Sequence, residues 1–543
     1  MRRFTRSRGW AVRDGRSSTP SIAVAVAVVL TLAATGCGGE GPKTGNSLSV
    51  RLNESPEPVV VVDEDQPGPV SLGVSRALFA AAPVLVVAGA GDAAGVQAAS
   101  EQASRLGVPL LLDAAESGQG GPSVGSDATT ASVASGETAP NTASPSSPDR
   151  SALRAEIERL GAGSVLVVGS STRASLGDLG GVHIVTDAGE LPKVSPAEPI
   201  DDLTVLVRGG QDEPGRVAAG ASAAAVGARV IGVRTTDLRA DPQTVTALAE
   251  RGKSRVLAVG TGFGPLQRLG ERLEVATTGV QLPGGGQAVF PGRRLVALYG
   301  HPGTAALGVL GEQGLPESIA RAKQIAAQYD SLSSVPVVPA FEIIATVAHD
   351  SPGPDGNYSG EIGVEELRPW VEKAGQEGVY VVLDLQPGRA NFLDQAKLYA
   401  ELLRMPHVGL ALDPEWRLTP TQRPLGQIGS VQAHEVNSVI DWLADLTAKE
   451  KLPQKLLVLH QFQLSMLADE AQIELGRDEV QVLIHMDGQG RTELKDETWQ
   501  AVVSAAPADV PFGWKNFYDE DTPMMSPQQT MAKKPTPLMI SYQ

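Results

Sequence analysis

Between residues 295 and 540 the sequence carries eight short apolar runs, at 295–299, 335–347, 378–383, 408–412, 455–459, 480–484, 510–512 and 537–540. Most are separated by stretches of helical periodicity, at 319–329, 364–373, 393–403, 436–446 and 464–475. A short run that is apolar throughout, without alternation, reads as a strand buried on both faces, and such strands alternating with helices build parallel sheets. Eight strand–helix units in about 250 residues match a closed (β/α)8 barrel. Trp370 and Trp442, at helical spacing among apolar neighbours, read as its outer core.

A barrel of this kind carries its chemistry at the C-terminal ends of its strands. His301 follows the first run, Glu342 lies within the second, and Asp384 follows the third. Asp413 and Glu415 follow the fourth, His460 and Gln461 the fifth, and His485 and Asp487 the sixth. Trp514, Lys515, Tyr518 and Asp519 follow the seventh. Asp384 and Asp413 close apolar runs on neighbouring strands. Carboxyls crowded into a partly buried mouth have their pKa values pushed apart, giving one acid and one base or nucleophile, as glycosidic-bond hydrolysis requires. The expected catalytic set is Glu415 as general acid with Asp384 or Asp413 as base or nucleophile. His301, Glu342, His460, His485, Asp487 and Lys515 are expected to contact or orient substrate, and Trp416, Trp514 and Tyr518 to offer flat faces for sugar rings. With carboxylates after strands three and four and aromatics after four and seven, the layout resembles glycoside-hydrolase barrels, a likeness that implies fold and reaction class only.

Other chemistries leave weaker traces. His485 and Asp487 with His301, His460 or Glu415 offer nitrogen and oxygen ligands to a divalent ion. There is no phosphate-binding Gly-x-x-x-x-Gly-Lys-Ser/Thr loop. Gly89-Ala90-Gly91 lacks the third glycine of a dinucleotide fingerprint. No cofactor is expected. A barrel without catalysis, serving as a carbohydrate-binding or scaffold module, is the competing class.

The preceding half predicts strand, helix, strand, helix, strand at 83–88, 93–106, 108–112, 152–160 and 165–168, then again at 203–207, 217–226, 228–233, 243–251 and 255–259. That is a duplicated, open parallel-sheet α/β domain over 70–290, with a Ser/Thr/Gly/Pro-rich disordered insert at about 115–150. The phrases Leu106-Gly107-Val108-Pro109 and Arg159-Leu160-Gly161-Ala162-Gly163-Ser164-Val165 resemble the cell-wall-binding repeat of bacterial surface proteins. The resemblance implies attachment to a wall or envelope polysaccharide.

The first 16 residues hold six arginines, 22–34 is apolar, and Ala34-Thr35-Gly36 leads into Cys37, the chain's one cysteine. Basic start, short apolar middle and small residues before the cut form a secretory signal. The last four residues resemble the lipobox of bacterial lipoproteins, implying removal of 1–36, acylation of Cys37, membrane anchoring on the extracellular face, and a flexible tether over 37–69. A single cysteine excludes an intramolecular disulfide and a cysteine-built zinc site. With 45 basic against 62 acidic residues, a net charge of −17, the chain is unsuited to gripping nucleic acid.

Overall fold

The computed structural model describes residues 48–53, 57–113, 148–170, 176–210 and 212–543. Cys37, the signal segment 1–36 and all but the last residues of the insert lie outside the described residues. Among those described, no helix is long and apolar enough to cross a membrane.

Two four-stranded parallel sheets come first. Their strands are β1 (Val59–Val62), β2 (Val84–Gly89), β3 (Leu110–Asp113), β4 (Ser164–Val168), β5 (His183–Val185), β6 (Leu203–Arg208), β7 (Arg229–Val233) and β8 (Arg255–Val259). The orders are β3-β2-β4-β5 and β7-β6-β8-β1. Part of the segment expected to be a tether is therefore structured: β1 is four consecutive valines, a β-branched run that pairs in parallel with 256–259 and completes the second sheet. In α2 (Ala93–Leu106), which follows α1 (Pro67–Leu78), the Asp92 carboxylate accepts from the Gly95 N–H, and Gly107 takes a left-handed φ of 68° at the other end. Ala-rich α2 packs on Ala-rich α4, which spans Pro214–Ala225 with α3 (Pro148–Arg159) before it in the chain. Ser222 of α4 accepts the Leu110 N–H of the first sheet, so both sheets share one core.

All eight apolar runs of the second half are strands: β9 (Arg294–Gly300), β10 (Val337–Ala348), β12 (Tyr380–Leu385), β13 (Val408–Leu412), β14 (Lys455–His460), β15 (Val480–Met486), β16 (Phe512–Asn516) and β17 (Met539–Tyr542), with the short antiparallel β11 (Ser359–Glu361) beside β10. Every barrel pairing is parallel, and β9 pairs with both β10 and β17, closing the barrel. Alternate residues face inward. Leu295 and Ala297, Val338 and Ala340, Tyr380 and Val382, and Leu456 and Val458 fill the interior, capped at its N-terminal end by Leu282, Val289 and Phe290. The residues between them pack outward against the helices, with Trp370 and Trp442 at the margin of that layer.

One expected helix is absent. Residues 464–475 form the 3-10 turns Leu464–Met466 and Glu470–Gln472 around a two-residue strand, Leu467–Ala468, paired in parallel with Val431–Gln432. Asp469 has a left-handed φ of 57°, and Gln461 donates to the Glu470 carboxylate at 2.9 Å, two local interactions that outweigh the helical pattern.

The α/β half meets the barrel at the pole opposite the mouth. Asp478, just before β15, accepts from Arg272 at 2.6 Å and pairs with Arg239 at 3.0 Å, while Asp237 braces Arg239 at 2.8 Å. The Arg239 side chain is 4% exposed, so its charge depends on these partners. Asp478→Ala is expected to lower unfolding free energy by about 1–3 kcal/mol, read as an earlier urea midpoint. An unchanged midpoint would show that the contact carries no stability.

Candidate active site

Each inward row of the barrel, continued two residues toward the mouth, changes from apolar to polar. The layer so formed is Tyr299, Glu342, Asp384, Asp413, His460, His485, Lys515 and Ser541, buried without exception. Strand register alone brings these residues from distant stretches of sequence to one level: Tyr299 lies beside Glu342, His460 beside His485, and Lys515 beside Ser541.

His460 is the centre of the layer. Its Nδ1 donates to Asp487 Oδ2 and its Nε2 to Glu342 Oε1, both at 2.8 Å. Carboxylates on both ring nitrogens require both to carry protons, so the ring is an imidazolium. Burial alone would lower its pKa, but Asp487 and Glu342 raise it well above the ordinary histidine value. The effect is reciprocal: against burial, which favours their neutral forms, the imidazolium holds Glu342 and Asp487 below the usual carboxylate range. The other acids go the opposite way. Burial raises Asp413 well above its ordinary value, lifts Asp384 to about 6, and with the nearby Asp487 charge lifts Glu415 to about 7. Tyr299 donates its hydroxyl to Asp384 Oδ2 at 2.9 Å.

Above this layer opens a cavity of about 540 Å³, lined by Asp413, Glu415, Asp487 and Lys515, with Trp416, Phe462 and Phe517 on its walls. Glu415 sits on a 3-10 turn, Pro414–Trp416, capped by the Asp413 carboxylate, which accepts the Glu415 N–H at 3.1 Å. The residues expected from sequence thus divide. Asp413, Glu415, Trp416, Asp487 and Lys515 line the cavity, and Asp384, Glu342, His460 and His485 lie in the buried layer beneath. Trp514, expected as a sugar platform, does not reach the mouth: it alternates with inward Lys515, so its indole points outward and packs edge-on against Trp499 at 5.6 Å. His301 and Tyr518 are not among the lining residues. His301 Nδ1 accepts the Gly303 N–H, and Tyr518, 40% exposed, packs on Tyr542. Sequence reasoning passed over Tyr299, Gln386, Phe462 and Ser541, though counting back by twos from an inward residue finds Tyr299 and Ser541.

The donor set argues against a metal on these histidines. One oxygen each of Asp384 and Asp413 and one His460 nitrogen lie within 4.8 Å of one another. An imidazole ligates through a free lone pair, and both His460 nitrogens are committed to carboxylates. His485 Nε2 is bonded to Ser541 at 2.7 Å, and its ring lies so close to β16 that a Cβ at Gly513 would collide with it. The cation at the centre of the cluster is the imidazolium.

No family model matches the chain, and no curated protein matches it significantly.

Proposed function

We propose that the barrel hydrolyses a glycosidic bond in an envelope polysaccharide. The observation that carries this reading is a divided pair of carboxyls on one cavity. Glu415 is protonated up to about pH 7, and Asp487 is kept ionised by His460, with its Oδ1 buried and unpartnered. An acid and an ionised carboxylate facing one space are what cleavage through an oxocarbenium-like transition state needs. Glu415 keeps the general acid's part expected of it. The base or nucleophile moves to Asp487, because burial disfavours the ionised form of Asp413 and Asp384 lies beneath the cavity under Tyr299. Trp416, Phe462 and Phe517 give the walls apolar faces suited to sugar rings.

The rest of the chain suits delivery of this site to the envelope. Three strands of each sheet share one order, β3-β2-β4 and β7-β6-β8, which supports an internal duplication, the arrangement of tandem wall-binding units, although the fourth strand follows the first unit in the chain (β5) and precedes both units in the second sheet (β1). Cys37 after its basic and apolar leader supports a lipid-anchored protein on the extracellular face.

The test is release of reducing ends from purified envelope polysaccharides and peptidoglycan by the full chain. Release is expected, with kcat/KM falling as pH rises through about 7, where Glu415 loses its proton. Binding without release across about pH 4 to 8 would sink the hydrolase reading.

A further inference from the structure

Among the described residues lining the cavity, Lys515 is the one cation. It is 3% exposed, and among the described residues its ammonium has neither a hydrogen-bond nor an ion-pair partner. It rests instead on aromatic faces, 3.3 Å from the centroid of Tyr299 and 5.3 Å from that of Phe517. The neighbouring carboxyls act on it through space while bonded elsewhere: Asp487 Oδ2 and Glu342 Oε1 to His460, and Asp384 Oδ2 to the Tyr299 hydroxyl.

Ring faces attract the ammonium but accept no hydrogen bond from it, so its three donors are directed to whatever occupies the cavity. Glu415 is uncharged in the state in which it can donate its proton, burial disfavours the ionised form of Asp413, and the Asp487 carboxylate is bonded to His460. In formal charge Glu342 and Asp487 balance His460 and Lys515, but both carboxylates bond His460 and neither bonds Lys515, so an acceptor entering the cavity would meet a cation with free donors, and an anionic acceptor gains most from it.

We propose that Lys515 selects saccharides bearing a carboxylate, which accepts a hydrogen bond from its ammonium. The inference rests on the reading of the cavity as a saccharide site, and it names the substrate class as acidic sugars. The carboxylate has two chemical sources, a uronic acid or the lactyl ether of an N-acetylmuramate unit.

The experiment measures binding by calorimetry with the full chain, so that it does not depend on turnover. The probes are oligogalacturonate and N-acetylmuramate-containing oligosaccharides, each beside the same compound with its carboxyls reduced to alcohols. At least one acidic form is expected to bind about tenfold or more tighter than its reduced counterpart, and which one does so identifies the source. Lys515→Met is expected to bring that ratio to about one, and Lys515→Arg to keep most of it. Wild-type protein that binds both forms within about twofold, or neither, overturns the inference without recourse to any variant. Tight, carboxylate-dependent binding without cleavage upholds the inference and removes the hydrolase reading. Cleavage of acidic and reduced forms alike does the reverse.

Discussion

Glu415→Gln is expected to abolish release of reducing ends while leaving the protein folded. Glutamine keeps the shape of the side chain on the Pro414–Trp416 turn and has no carboxylic proton to give. Loss of a positioned general acid costs about 10²–10⁴-fold in kcat, with little change in KM. Stability should move the other way. Burial, with the Asp487 charge added, raises the folded pKa of Glu415 to about 7, above its unfolded value. Ionising it in the folded state is therefore unfavourable, and wild-type stability is lost as pH rises from the unfolded pKa through about 7. The glutamine variant does not titrate, so above pH 7 its urea midpoint should exceed that of wild type, and the gap should close toward pH 4. Full activity in the variant refutes the assignment of Glu415. Lost activity with an earlier unfolding midpoint at every pH would instead show that the side chain serves structure.

The barrel was legible because its strands are apolar through most of their length, as strands buried on both faces are, and each of the eight runs overlaps one. The site was legible in part for a related reason. The positions just after each run lie beyond the last apolar layer, and Asp413, Glu415, Asp487 and Lys515 are found there. Position along a strand does not say which way a side chain points, and two neighbours on a strand point oppositely. That is why Trp514 was grouped with Lys515 although one faces the helices and the other the cavity. The division of labour among the carboxyls was illegible for a different reason. It depends on which of them His460 touches, and Glu342, His460 and Asp487 are brought together by barrel closure across 145 residues of sequence (487 − 342 = 145). The missing helix at 464–475 shows the limit of periodicity: a suitable spacing of Leu464, Leu467 and Leu475 was overruled by one left-handed residue and one buried amide–carboxylate bond. Valines 59–62 read as tether because their surroundings are acidic and Pro-rich. A four-residue edge strand gains its partner only from a sheet formed 197 residues later, Val59 pairing with Val256 (256 − 59 = 197).

His460→Leu is expected to be the most damaging single change in the barrel. The side chain is 0% exposed and its one positive charge is shared by two buried carboxylates, Glu342 and Asp487, each 2.8 Å from a ring nitrogen. Removing one partner from a buried charge cluster typically costs about 3–5 kcal/mol, because the charges left behind lose their bonded counter-ion and keep only the unbonded Lys515 nearby. The pH dependence separates this cause from a simple loss of packing. In wild type the folded pKa of His460 lies above its unfolded value, so the stability it contributes is fully present below the unfolded pKa and is lost only as pH rises through the folded one. In the variant Glu342 and Asp487 have lost the cation that held their pKa values down, and burial now raises them. They can fold at no great cost only by taking up protons. The deficit relative to wild type should therefore be greatest above about pH 6 and should shrink toward pH 4, where both carboxyls protonate readily in the unfolded chain as well. Adding Glu342→Gln to His460→Leu removes one stranded charge and should recover part of the loss at pH 7, whereas a cavity left by the imidazole would be unaffected by it. A deficit that is flat with pH, and no recovery in the double variant, would mean that His460 supports the barrel by its volume and not by its charge. Turnover should fall with stability restored or not, since Asp487 without the imidazolium no longer stays ionised beside the cavity.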